Sequence, residues 1–529
     1  MEYATSWIDK NVREGHWTGE TFGQFLRVHA TSRPNDTALG QGEVSISWSN
    51  YLSEVERVAG GLSSLGVDVG DRVSVQLHNC VELAISVLAI WDIGAVYQPL
   101  NPMYRAAECE SLIAAVDPKA VICSNSSMEF DHANLLDEVT DRLSCSPLKV
   151  IVGTTRPGWT NFYDLDGPAN NIAQDPLRTA LLGTTSGTTG KPKIYIHIQA
   201  TQIFEAKALC QGLTFGKNDV MLAAAPMTHR GALMVGLMTS LVSGSRLVMG
   251  EARNTREIAK TIENQKVTTF MGIPTIVSDL LHLHSQEDWD ATSLRVVLAS
   301  GAPVTAELIN RFHEQWPNTL AATGYGLSET GWCTFLRIAD PPEKVYSSGR
   351  LAPATEIEIR DQSGLLLSPG ETGEVHIRGP MNCAGYLKND EATNQAIDAD
   401  GWFASGDLAF MDKDGYLNPV GRSKHTIIRG GLNIYAEEIE HMLHEHPAVR
   451  EVAIVPYPDP RLGERACAYV SLHAEASFDL DELVRFFSEL DTARYTWPER
   501  VEVVDELPRN PIGKIDRIAI SNLLQNLPG

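Results

Sequence analysis

Over the first third of the chain, short blocks of consecutive apolar residues alternate with longer segments in which apolar positions recur at helical spacing. The block at 72–77 (RVSVQL) predicts a strand, 82–95 (ELAISVLAIWDIGA) a helix, 95–100 (AVYQPL) a second strand, 108–116 (ECESLIAAV) a helix and 119–124 (KAVICS) a third strand. Strands separated by helices predict an α/β fold with a largely parallel sheet. The rhythm returns with RLVMG at 246–250, a helix at 256–265, TTFMGIP at 268–274 and LRVVLAS at 294–300. Beyond about residue 340 the texture changes to short strands with turn signals: ATEIEIRD, QSGLLL, GEVHIRG and DGYLNPVGR, at 354–361, 362–367, 373–379 and 414–422. These predict a small β subdomain. A second α/β unit follows, built from NIYAEEIEHMLHEH, EVAIVPY, CAYVSLH and LDELVRFFSEL, and the segment 425–529 is long enough to fold alone. No internal repeat or low-complexity tract interrupts the pattern.

With 529 residues the chain exceeds what one hydrophobic core serves, so two to four domains or subdomains are expected. Its 43% apolar and 21% charged residues are those of a soluble globular protein. The formal net charge of −24 argues against a broad nucleic-acid or anionic-membrane surface, so an anionic substrate needs a local basic pocket. The eight cysteines (80, 109, 123, 145, 210, 333, 383, 467) form no C-x-x-C pair, which suggests neither a zinc site nor a disulfide framework and fits a reducing cytoplasm. The start MEYATSWIDKN lacks a basic segment followed by an apolar core, and the longest uncharged run, 231–245, is too short to span a bilayer. The expectation is a cytoplasmic protein with no nucleic-acid or membrane partner; nothing in the sequence fixes its oligomeric state.

The stretch 184–193, TTSGTTGKPK, holds four Thr, one Ser, two Gly and two Lys. Hydroxyls, ammonium groups and backbone N–H groups all donate, and glycine lets the backbone come close, so the composition suits an anion such as phosphate. The G-x-x-x-x-G-K-[ST] loop is excluded: Thr185 stands five before Gly190, and Pro192 follows Lys191. A solvated Ser/Thr/Gly linker has the same composition. GYGLSE (324–329) fails the dinucleotide fingerprint because Glu329 replaces its third Gly, and no G-x-S-x-G serine elbow occurs in the Gly-rich segments. His441 and His444 in HMLHEH have i, i+3 spacing within metal reach but read as a solvated helix face.

Taken in order with TTSGTTGKPK, the motifs GYGLSET (324–330), GWFASGDLAF (401–410), GRSKHTIIRGGLNIYAEEIE (421–440) and PRNPIGKIDR (508–517) resemble the core motifs of the adenylate-forming superfamily. That superfamily comprises acyl-CoA synthetases, aryl-acid and peptide-synthetase adenylation domains, and beetle luciferases. The resemblance covers essentially the whole chain. It implies an α/β fold with a large N-terminal domain of parallel α/β sheets (1–422, with a β subdomain at about 340–422), a hinge at 423–424 and a small mobile C-terminal α+β domain (425–529). It also implies activation of a carboxylate with Mg·ATP as an acyl adenylate, with pyrophosphate release and then transfer to a thiol.

Residue by residue, the resemblance implies that Thr185, Ser186, Gly187, Thr188, Thr189, Gly190 and Lys193 hold the β and γ phosphates. Ile194 stands where the family has Gly. Ser300, Gly301 and Ala302 match the adenine-pocket segment, Gly324, Tyr325 and Gly326 the adenine-stacking motif, and Ser328, in place of the usual Thr, the α-phosphate hydroxyl. Glu329 matches the magnesium ligand, and a hard cation bridging phosphates favours carboxylate oxygen. Asp407 matches the acceptor of both ribose hydroxyls and Arg422 a second ribose contact. Lys514 matches the lysine that reaches the α phosphate and carboxylate, where an ammonium stabilises the charge building on phosphorus. His229 fits the acyl-pocket histidine; Ile273, Pro274, Thr323, Trp332 and Cys333 are further candidates for that pocket. Arg429, Gly430 and Gly431 match the loop that admits coenzyme A, and Lys424 the hinge.

The first functional expectation is therefore an acid:CoA ligase using ATP, Mg²⁺ and coenzyme A on a small-molecule carboxylic acid, with Trp332 favouring a compact aromatic or cyclic acid. His425 and Ala436 stand where CoA-using members usually carry Asp and Pro. Together with REGHWTGETFGQFL (13–26), the Ala-Glu-Glu version points to the alternative, an aryl-acid adenylating enzyme that loads a carrier protein. A luciferase-like oxygenase and a binding protein without catalysis are the remaining classes. Pyrophosphate release separates enzyme from binder, and oxygen uptake separates the oxygenase.

Overall fold

The computed structural model describes the chain apart from residues 1–2, 126–129, 169–173, 186–192, 251–253, 302–303, 423–424, 430–431, 460–461, 491–493, 511–513 and 526–529. The α/β reading holds. A seven-stranded sheet has the order Thr160–Asn161, Leu148–Val152, Ala120–Ser124, Arg72–Gln76, Val96–Pro99, Thr179–Thr185, Lys193–Ile198, and only its last pair is antiparallel. A nine-stranded sheet carries Val220–Ala223, Thr269–Gly272, Val296–Ala299 and Leu320–Leu327 as consecutive parallel neighbours.

Helices cover these sheets, which is why the strands read as continuous apolar runs. The helix Val81–Ile93 is apolar all round because every residue in it except Glu82 is buried, and Gly94, at φ 80°, ends it in the left-handed conformation open to glycine. Ile194 is 5% exposed, pairs with Thr184 in the antiparallel ladder and packs among Leu182, Ile196 and Val121. Its substitution for glycine therefore fits the outgoing strand: the side chain fills core.

Four strands, Glu356–Arg360, Gly373–Arg378, Phe403–Met411 and Leu417–Arg422, form the small β sheet. QSGLLL is not one of its strands. Asp361 Oδ1 accepts from the backbone N–H of Ser363 and Leu365, folding the segment into a turn that leaves Leu365 and Leu366 each 67% exposed. A third sheet joins Leu432–Tyr435, Thr426–Arg429, Gly463–Leu472 and Val449–Asp459, with Arg500–Val503 parallel to Gly463–Leu472.

The chain divides into two compact units: 1–304, 308–356 and 377–403 in one, and 305–307, 357–376 and 404–529 in the other. Most of the small four-stranded sheet thus groups with the C-terminal residues, whereas 340–356 and 377–403 belong to the first unit. The packing gives the reason. The Glu437 carboxylate, on the helix Ala436–His444, takes a hydrogen bond from the Arg422 N–H and pairs with His425 Nδ1 at 2.5 Å, tying the strand Leu417–Arg422 to that helix. Burial alone would raise the Glu437 pKa; the His425 bond and the Arg517 cation more than offset it and hold it below the ordinary value.

Candidate active site

In a parallel sheet, the segments that leave the carboxyl ends of neighbouring strands lie side by side, which is where such folds hold ligands. The nine-stranded sheet gathers its candidates this way. Gly272 pairs with Ala299 and Ala299 with Thr323, so Ile273–Pro274 and Ser300–Gly301 leave their strands level with Thr323–Tyr325, which continue the neighbouring strand Leu320–Leu327. His229 follows Val220–Ala223 in the same row. Pro274 occupies the first turn of the helix Pro274–Gln286, where its missing N–H costs nothing. Gly301 has φ +89°. Tyr325 is half-buried, Thr323 is buried with its hydroxyl donating to the Ser347 carbonyl at 2.5 Å, and Ile273 is 36% exposed.

Two asparagines from the seven-stranded sheet grip the segment that carries His229. Asn79 Nδ2 donates to the carbonyls of Ala223 and Ala225 at 2.8 and 2.9 Å, and its Oδ1 accepts from Met227 N–H at 2.8 Å. Asn101 Nδ2 lies 3.3 Å from His229 Nε2. The next residue, Arg230, forms a fully buried ion pair with Glu205, whose carboxylate also accepts from Trp332 N–H at 2.9 Å.

Glu329 sits in the turn of the hairpin Leu320–Leu327/Gly331–Phe335. It is 7% exposed, and the Tyr386 hydroxyl donates to its Oε1 at 2.8 Å. Burial first, and then the Glu329 charge, push the Tyr386 phenol far above its ordinary pKa, so it stays protonated and remains a donor. Cys383 N–H donates to the Glu329 carbonyl at 2.6 Å, and His197 Nε2–H donates to the Ser328 carbonyl at 2.9 Å. Burial, followed by the Arg230 cation, holds His197 well below the ordinary imidazole value, so its ring is neutral. Gly331 needs to be glycine: φ is +70°, and a Cβ there would meet the Glu205 carboxylate at 2.8 Å.

Of the phosphate stretch, the structure describes the two ends. Thr185 pairs with Lys193 across the hairpin, and the Lys193 ammonium lies 4.9 Å from the centre of the Tyr386 ring. Tyr386 thereby connects Lys193 with Glu329. Ser186, Gly187, Thr188, Thr189 and Gly190 lie outside the described residues, as do Ala302, Lys424, Gly430 and Gly431. Trp332 is 5% exposed and packs against Gly324, where a Cβ would meet the ring at 2.6 Å. Cys333 is wholly buried, with its thiol pushed up to about 12 by burial and directed at Thr330.

The second unit brings three more candidates together. Asp407 and Arg422 are opposite each other on adjacent strands, with Arg422 Nε 2.7 Å from Asp407 Oδ1. Lys514 is held by its N–H to Asn510 Oδ1 at 3.0 Å, and desolvation, then the Arg422 cation, lower its pKa while Asp407 acts the other way. Arg429 is ion-paired with Glu499 at 2.6 Å.

The sequence reading missed Tyr386, Asn79, Asn101, His197 and the Glu205–Arg230 pair. Tyr386 lies 57 positions from Glu329 and carries no local signal. Asn79 and Asn101 had one: each is a polar residue just beyond an apolar parallel strand, at its carboxyl end.

Two family models match this chain. The AMP-binding enzyme model covers residues 26–387 and the AMP-binding enzyme C-terminal domain model covers 438–514. The chain belongs to the AMP-binding enzyme family. It is 30% identical to the 2,3-dihydroxybenzoate-AMP ligase of Bacillus subtilis (strain 168), over 98% of this chain and 96% of that one. It is also 30% identical to the 2-hydroxy-7-methoxy-5-methyl-1-naphthoate–CoA ligase of Streptomyces carzinostaticus, over 96% and 93%. The crystal structure of the anthranilate CoA ligase AuaEII with anthranoyl-AMP superimposes with a TM-score of 0.88 at 25% identity, covering 96% of this chain and 98% of that one. This chain is therefore an AMP-forming adenylating ligase that uses Mg·ATP.

The donor set fits the metal. Mg²⁺ takes most of its ligands from phosphate and water and one or two from protein carboxylates, and Glu329 is a buried carboxylate oriented by a phenol. Among the described residues no group of three or more His, Cys, Asp or Glu could hold a metal by itself. Among them also, no helix is long and apolar enough to cross a membrane.

Proposed function

We propose that the protein activates a compact aromatic or cyclic carboxylic acid as its acyl adenylate and transfers the acyl group to coenzyme A. The observation that supports such an acid is Trp332, whose indole packs against Gly324 within the hairpin that bears Glu329 and puts a bulky side chain next to the expected acyl pocket. His229, Ile273, Pro274 and Thr323 complete that pocket, while Cys333 backs it from the core. The CoA ligases of hydroxynaphthoate and anthranilate among its relatives support the same reading.

In this mechanism Tyr325 stacks on adenine, beside Ser300 and Gly301. Asp407 accepts from the ribose hydroxyls, and Arg422, paired with it, fixes the carboxylate's orientation. Thr185 and Lys193 flank the phosphates. Glu329 would hold Mg²⁺, which supplies charge neutralisation on the phosphates when bound. One carboxylate oxygen of the acid attacks the α phosphorus, and the P–O bond to pyrophosphate breaks. Lys514 offsets the negative charge that develops, and its ammonium acts more strongly in the transition state than in the ground state. The thiol then attacks the carbonyl carbon, and AMP departs.

A second acceptor has one observation in its favour. Arg429, proposed to meet CoA phosphates, is already paired with Glu499, which suits an enzyme that loads a carrier protein. The test is pyrophosphate release from a panel of aryl, alicyclic and fatty acids, with CoA or a phosphopantetheinylated carrier added in parallel. Turnover with an aryl acid and CoA supports the proposal; turnover only with the carrier replaces its second half.

A further inference from the structure

Asn101 and His229 meet from different sheets. Asn101 follows the strand Val96–Pro99 of the seven-stranded sheet, and His229 follows Val220–Ala223 of the nine-stranded one. Asn101 is 5% exposed, and its backbone carbonyl is held by Gln76 Nε2 at 3.2 Å and by Tyr104 N–H at 2.9 Å. Its side chain is equally constrained. The Met103 N–H lies 2.8 Å from one end of the Asn101 amide, and a backbone N–H can only donate, so that end is the oxygen Oδ1. The other end, 3.3 Å from His229 Nε2, is then the NH₂ group. An NH₂ group likewise only donates. His229 Nε2 must therefore offer a lone pair, which leaves the proton of a neutral imidazole on Nδ1.

We propose that Asn101 is a positioning residue that holds His229 as the neutral Nδ1–H tautomer, and that this fixes the hydrogen-bonding character of the acid pocket. The inference rests on His229 belonging to the acyl pocket. With Nε2 occupied as an acceptor, the ring lines that pocket without net charge and with its proton on Nδ1. Substrates are then selected by how their polar groups match that pattern and not by carboxylate charge alone.

The tautomer can be read directly from the imidazole ¹⁵N shifts of histidine-labelled protein, with His229 assigned by the signals that vanish in His229→Gln. A protonated Nδ1 and a bare Nε2 at neutral pH are expected; a proton on Nε2, or on both nitrogens, overturns the proposal. In Asn101→Asp the new carboxylate can only accept, so the proton should move to Nε2. An unchanged tautomer there would show that Asn101 does not set it. The same variant should raise KM for the acid by ~10-fold while KM for ATP stays within about 2-fold, and equal changes in both would refute a role directed at the acid. The wild-type shifts need no substitution at Asn101, so misfolding of the Asn101→Asp variant would not shield the proposal. Failure of the wild-type enzyme to release pyrophosphate from any acid would count against the ligase reading, and the tautomer measurement would stand apart from it.

Discussion

Tyr386 donates its phenolic proton to Glu329 Oε1 across 2.8 Å, and the same ring faces the Lys193 ammonium at 4.9 Å. One side chain thus touches both the carboxylate expected to hold Mg²⁺ and a cation at the edge of the phosphate stretch. Removing the hydroxyl in Tyr386→Phe leaves the cation–ring contact and takes a donor from a buried carboxylate. Losing such a partner costs ~1–3 kcal/mol. The acid-dependent rate should fall ~10-fold, with the Mg²⁺ requirement altered, and a titration of rate against Mg²⁺ measures it.

Glu329→Gln keeps the shape and removes the charge. Apparent Mg²⁺ affinity should drop, and excess metal should restore part of the rate. A variant whose metal dependence matches wild type would take the ligand role from Glu329.

Lys514 titrates below the ordinary lysine value because of desolvation and the neighbouring Arg422, with Asp407 opposing them. Its ammonium is charged below that pKa and neutral above it, so adenylation should decline as pH rises through a value lower than that of a free lysine. In Lys514→Arg the group stays cationic throughout, and the alkaline limb of pyrophosphate exchange should shift upward. Lys514→Ala should slow exchange by ~100-fold or more, about 2.7 kcal/mol. An alkaline limb that does not move in the arginine variant assigns that limb to another group.

The apolar blocks made the two largely parallel sheets and their helices legible because central strands such as Val96–Pro99, Ala120–Ser124 and Val296–Ala299 are buried on both faces. QSGLLL misled because leucines in a turn anchored by Asp361 look, by composition, like a strand. Glu329 and Asp407 were legible through contiguous motifs, and Asp407 with Arg422 through none of the geometry that pairs them across adjacent strands. Tyr386, Asn101 and Glu205 were not legible, since each acts on a residue remote in sequence, at separations of 57, 128 and 127 positions respectively. The buried ion pair Glu205–Arg230 illustrates the cause: a glutamate inside a helix reads as a solvated face until the partner is known.

Gly331 couples that pair to the Glu329 turn. Gly331→Ala combines a left-handed φ with a 2.8 Å approach to the Glu205 carboxylate, so it should lower unfolding stability by ~2 kcal/mol or more. Denaturant midpoints compare it with wild type. A midpoint within error of wild type would mean that the turn relaxes freely.

Arg429 and Glu499 offer a test of the acceptor. Glu499→Gln releases the guanidinium from its carboxylate at 2.6 Å. If Arg429 serves CoA phosphates, KM for CoA should fall ~3-fold or more while pyrophosphate exchange is unchanged; a constant KM for CoA would separate Arg429 from CoA.

The most direct measurement follows the oxygen of the acid. With a carboxylate doubly labelled with ¹⁸O, attack on the α phosphorus leaves one label bridging acyl group and phosphate, and thiol attack on the carbonyl then releases it with AMP. AMP carrying one ¹⁸O, detected by mass spectrometry, is expected together with unlabelled pyrophosphate. Formation of ADP with the label in inorganic phosphate, or unlabelled AMP at full turnover, would contradict it.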